Sequence, residues 1–157
     1  MNKKKDINYI QATLKFCVAG LFIPGITVFP IFGFQWLLQN GGVDCKASWV
    51  IIWTTYLIGA LVTPFIFIWL MYRKLATGYN LTTDKLTYFN LAEYMFIQCT
   101  LASLFTTGQT LCYGHPAQNG IEFIFTGWLA LPILIGLSYV FEQLRKKRIE
   151  QIKVSRV

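Results

Sequence analysis

Charged positions fall along this chain in clusters, separated by long apolar runs. No charged residue lies between Phe16 and Gln39, or between Ala47 and Tyr72. From Glu93 to His115 the only formal charge is Glu93 itself, and from Gly120 to Phe141 it is Glu122. Each run is about 20 residues or longer, the length a helix needs to cross roughly 30 Å of hydrocarbon. A segment in lipid must satisfy its own backbone hydrogen bonds, so runs of this kind predict helices. A barrel would show short alternating strands instead. The spacing predicts four membrane-spanning helices, at about Leu14–Leu38, Trp49–Tyr72, Leu91–Leu111 and Ile121–Phe141. The expected fold is all-α: a four-helix transmembrane bundle in a single domain over residues 1–157.

Breakers and turn residues refine the picture. The first span carries Gly20, Pro24, Gly25, Pro30 and Gly33. Each proline removes a backbone donor and crowds the carbonyl four residues back, so this helix should kink or unwind locally. Pro64 and Pro132 should bend the second and fourth helices. Residues 1–13 read as a short polar segment and 142–157 as a basic tail that continues the fourth helix for a turn or two. The joins are Gln39–Ser48, with Asn40-Gly41-Gly42 as a turn signal, then Arg73–Asn90 and Cys112–Gly120. A Gly-x4-Pro pattern recurs at Gly25, Gly59 and Gly127, and Gln-Asn-Gly occurs twice. The two patterns do not share a register, so the chain is not read as a duplication.

Charge sets the orientation. The chain is 55% hydrophobic and 13% charged, against roughly 25% charged in an ordinary soluble domain. Its net charge of +7 could suggest nucleic acid, but the distribution says membrane. Once four crossings are drawn, thirteen of the fourteen Lys and Arg residues fall on one side, and Lys46 alone on the other. By the positive-inside bias, both termini are expected in the cytoplasm, and the protein in the bacterial inner (plasma) membrane. The apolar run after Lys3, Lys4 and Lys5 exceeds the 7–15 residues of a signal-peptide core, so it reads as a retained helix. The basic tail residues Arg145, Lys146, Lys147 and Arg148 are candidate contacts for anionic lipid. They lack the interleaved aromatic or polar residues of a nucleic-acid site.

Candidate chemistry is sparse. His115 is the single histidine, so neither a metal set of three or four ligands nor a Ser-His-Asp arrangement can be assembled convincingly. No metal and no cofactor are expected, and the chain does not read as an enzyme. Lys15, Glu93 and Glu122 are placed near helix ends, able to reach the interface by snorkelling. On that reading no ionisable group lies at mid-depth, which argues against a proton-driven transporter. Cys45 and Cys112 fall in or beside the two external joins, where an oxidising compartment would permit a disulfide between the hairpins. Cys17 and Cys99 lie within helices as small packing residues. The chain is similar to the quinone-linked disulfide-forming enzymes in helix number and external cysteines only, since it lacks their Cys-x-x-Cys pair. A thiol–disulfide redox enzyme is therefore the third functional reading.

The third span is the most polar. Thr100, Ser103, Thr107 and Thr110 share one face, with Cys99, Ala102, Thr106 and Gln109 on a neighbouring stripe. Small and hydroxylated side chains let helices approach and hydrogen-bond. This face reads either as central packing or as the wall of a cavity for a small polar ligand, with Gln35 and Gln98 available to both. The expected function is binding of another membrane protein or self-association, as an accessory subunit or an immunity or exclusion factor. Tyr113 and His115 on the second external loop are its candidate anchors. The alternative is a small transporter or lipid-handling protein with a cavity inside the bundle.

Overall fold

A computed structural model describes residues 8–22, 28–77, 83–105, 112 and 121–154. The described residues form five helices and no strand: α1 (Tyr9–Gly20), α2 (Val28–Asn40), α3 (Cys45–Ala76), α4 (Thr83–Phe105) and α5 (Ile121–Val154). α3 and α5 are long and apolar enough to cross a membrane.

The first apolar run is two helices, as its breakers require. Pro24 has no N–H to offer the Gly20 carbonyl four residues back, and Gly20 is the last residue of α1. Pro30, expected to kink a continuous helix, is instead the third residue of α2. There its missing N–H is one of the donors that a helix start leaves unpaired anyway. α1 also begins earlier than expected, because Asn8 caps it: its side-chain oxygen accepts from the Gln11 amide at 3.2 Å. α2 closes on the Asn40-Gly41-Gly42 turn. The Val43 amide donates to the Leu38 carbonyl and the Gly42 amide to the Gln39 carbonyl, both at 3.0 Å. This pair of bonds requires a left-handed residue, and Gly42 supplies it with φ of 84°.

Three helices outrun their apolar windows. α3 starts at Cys45, not Trp49, because Asp44 accepts from the Lys46 and Ala47 amides. α4 starts at Thr83, so residues read as part of a polar join are helical. The reason is packing: Leu86 and Phe89 are spaced for one helix face and are buried beside Phe67, Met71 and Phe141. α5 runs thirteen residues past Phe141 to Val154, well beyond the turn or two expected.

α4 is the central element, packed against α1, α3 and α5, while α2 packs chiefly on α3. The core has three levels. At the end carrying the α5 tail, Phe67, Phe89 and Phe141 meet with ring centroids 4.4–5.2 Å apart. In the middle, Cys17, Tyr94, Ile97 and Leu134 join α1, α4 and α5. At the far end, Ile31, Ile52, Tyr56, Cys99 and Ala102 join α2, α3 and α4.

Candidate functional site

The interior of the bundle holds a run of polar side chains that the sequence places on three different helices. Thr13 of α1 is fully buried, and its hydroxyl accepts from the Asn90 side-chain amide at 2.9 Å. The same hydroxyl lies 2.5 Å from the Ser138 hydroxyl on α5. Asn90 and Ser138 are buried as well. One oxygen on α1 thus ties α4 and α5 together, in the middle of an apolar core.

One turn farther along α4 lies Glu93, only 1% exposed. Its Oε2 has no hydrogen-bond partner among the described residues. The Tyr94 hydroxyl and the Asn90 Oδ1 are buried and unpartnered in the same sense. Expected at a helix end and able to snorkel, Glu93 is instead held inside the bundle. The reason is the early start of α4, which puts Glu93 ten residues into the helix and on the face shared with Leu86 and Asn90.

One turn from Ser138 towards the tail, Glu142 is buried and accepts from Arg145 Nη2 at 2.8 Å. The Arg145 guanidinium also lies over the Tyr9 ring, 5.0 Å from its centroid. Arg145 was expected to face lipid headgroups with its neighbours. It turns inward because Glu142, three residues back on the same helix, and Tyr9 on α1 offer it an anion and a π-face. Arg148 lies over Tyr72 at 5.6 Å and bonds Gln151. Lys146 and Lys147 remain as the exposed cations of the basic run.

The remaining sequence candidates divide. The Cys45 and Cys112 sulphurs stand at bonding distance, with Cα atoms 5.7 Å apart. This lies within the range a disulfide allows. Gln35 of α2, 6% exposed, donates to the Cys45 sulphur at 3.4 Å. Cys17 and Cys99 are buried and unbridged. On the polar face of α4, Gln98, Thr100 and Ser103 are all buried. The Thr100 hydroxyl bonds its own helix, at the Phe96 carbonyl, so it is not available to line a site. Thr107, Gln109 and Thr110, and the loop residues Tyr113 and His115, lie outside the described residues. No group of three or more His, Cys, Asp or Glu side chains that could hold a metal is found among the described residues.

No family model matches the chain, and no curated protein or solved structure matches it. The site must be read from its own chemistry. Three groups that carry it, Thr13, Asn90 and Ser138, were not singled out from the sequence. The available signal was the spacing Leu86–Phe89–Asn90–Glu93, which continues a buried helix face backwards through the supposed join.

Proposed function

We propose that this protein crosses the bacterial inner membrane four times, with both termini in the cytoplasm. We further propose that it binds a small polar or charged ligand inside its bundle, without a chemical step. Membrane placement is supported by α3: only 17% of its most apolar stretch is buried within the protein. The core helix of a soluble domain would be mostly covered. Phe65 at 72% and Trp69 at 58% exposure form part of the apolar surface that lipid would cover. In this arrangement α1 and α2 make the first crossing as a broken pair. The cations Arg73, Lys74, Lys85, Lys146 and Lys147 lie at one end, where anionic headgroups would meet them.

The single observation that carries the ligand reading is the buried Glu93 carboxyl, whose Oε2 has no hydrogen-bond partner among the described residues. With no buried charge, the pattern of the sequence favours a protein that works through its outer faces. An intramembrane carboxylate reverses that preference, because such groups are costly to keep and mark ligand or ion positions. A second reading, partner binding in the bilayer, is favoured by α2. That helix leaves Phe29, Trp36 and Leu37 more than 60% exposed and packs chiefly on α3. Purification of the full chain in mild detergent separates the two. A lone species whose thermal stability responds to added ions or small solutes supports the ligand reading. A stoichiometric co-purifying membrane protein, with no response to ions or solutes, supports the partner reading and refutes the first.

A further inference from the structure

We infer that Asn90, Glu93 and Tyr94 form a binding site for one small monovalent cation of the sodium or lithium class. This rests on the reading that the bundle interior holds a ligand. Glu93 and Tyr94 stand three and four residues after Asn90 on α4, so each neighbours Asn90 on the helix surface. Each presents a buried oxygen with no partner among the described residues: Asn90 Oδ1, Glu93 Oε2 and the Tyr94 hydroxyl. The orientation of Asn90 is set from behind, since its amide nitrogen is engaged by Thr13, and Thr13 is in turn held by Ser138. That chain of bonds leaves the Asn90 carbonyl oxygen as the atom turned to the site.

The donor set selects the ligand. It is all oxygen and carries one formal negative charge, with no ion pair to Glu93 among the described residues. Hard oxygen ligands suit alkali and alkaline-earth ions, whereas transition metals favour imidazole and thiolate. A divalent ion would leave one positive charge uncompensated in an apolar interior, so a monovalent ion matches the site better. A proton would neutralise Glu93 and give it a single O–H to donate, enough for one neighbouring acceptor. A cation held between the three oxygens would be met by all of them at once.

The test is labelling of the purified full-length protein with a lipid-soluble carbodiimide, which attacks protonated carboxyl groups and is read by peptide mass spectrometry. Labelling is followed at constant ionic strength in choline chloride, and with sodium, lithium or potassium replacing choline. The expected result is an adduct at Glu93 in choline that sodium or lithium slows several-fold and saturably. Tyr94→Phe, read against its own rate in choline, should raise the half-protecting sodium concentration several-fold. Glu93→Gln should lose both the adduct and any sodium-dependent rise in melting temperature; if it does not fold, the wild-type and Tyr94→Phe results still decide. Equal labelling in every salt overturns the cation site while leaving a reachable interior carboxyl, and so leaves the ligand reading standing. Labelling only after the protein is unfolded shows Glu93 sealed from ligands and overturns both.

Discussion

Gly59 offers the sharpest mechanical test of how α3 and α4 meet. A Cβ built there would lie 2.6, 2.7 and 2.9 Å from Cδ1, Cε1 and Cγ of Phe96. These separations are well inside van der Waals contact, and Cγ belongs to the base of the ring, not to a flexible tip. Phe96 cannot simply swing aside, because its ring already sits 6.2 Å from that of Tyr56. Overpacking of this kind costs about 1–3 kcal/mol. Replacing glycine by alanine inside a helix returns roughly 0.5–1 kcal/mol. The expected net effect of Gly59→Ala is therefore a loss of about 0–2.5 kcal/mol. Gly136→Ala on α5 is the control, since a Cβ there meets nothing within 4 Å and should be neutral or mildly stabilising. Unfolding in mixed micelles by SDS, followed by tryptophan emission, measures both. Trimming the ring with Phe96→Leu should recover part of the loss in the double variant, giving a coupling on the order of 1 kcal/mol. A Gly59→Ala protein at least as stable as Gly136→Ala would refute the close α3–α4 contact.

Three further outcomes follow from the same geometry. Cys45 and Cys112, separated by 67 positions, should resist alkylation without reduction; reducing the bridge should cost up to about 4 kcal/mol on the chain-entropy account, and two freely alkylated thiols would refute it. A reporter active only outside the cytoplasm should work after Lys46 and fail when fused to Val157, and activity at Val157 would overturn the proposed orientation. Arg145→Ala should destabilise by about 3–5 kcal/mol because it strands the buried Glu142. Lys146→Ala, on the exposed face, should change stability by less than about 0.5 kcal/mol, and equal losses would place Arg145 at the surface.

The all-helical content and two long apolar spans were legible because charge-free runs of about 20 residues admit few alternatives. The turn at Gly42 and the pairing of Cys45 with Cys112 were legible for similar local reasons. What escaped was decided by neighbours distant in sequence. The segment around Leu86 and Phe89 is mixed in polarity, and only Phe67 and Phe141 make it a buried helix face. Arg145 resembles the lysines beside it, yet it lies over Tyr9 and pairs with Glu142 inside the bundle. Glu93 was judged by its distance from the start of an apolar window. Its burial depends instead on where α4 begins, which no count of apolar residues reveals.

The same distinction bears on what holds the bundle together. On the proposed placement in lipid, apolar burial does little to favour one helix partner over another, because the surrounding chains are equally apolar. Association then depends on close packing, interhelical hydrogen bonds and covalent links. α1, α4 and α5 share the Thr13–Asn90–Ser138 bonds, α3 and α4 share the Gly59–Phe96 contact, and Cys45 and Cys112 tie the start of α3 to the segment beyond α4. α2 enters this scheme through Ile31, Phe34, Leu38 and the Gln35 contact to the Cys45 sulphur. It follows α1 across Pro24 and Gly25, and its Gln35 side chain donates to a half-cystine.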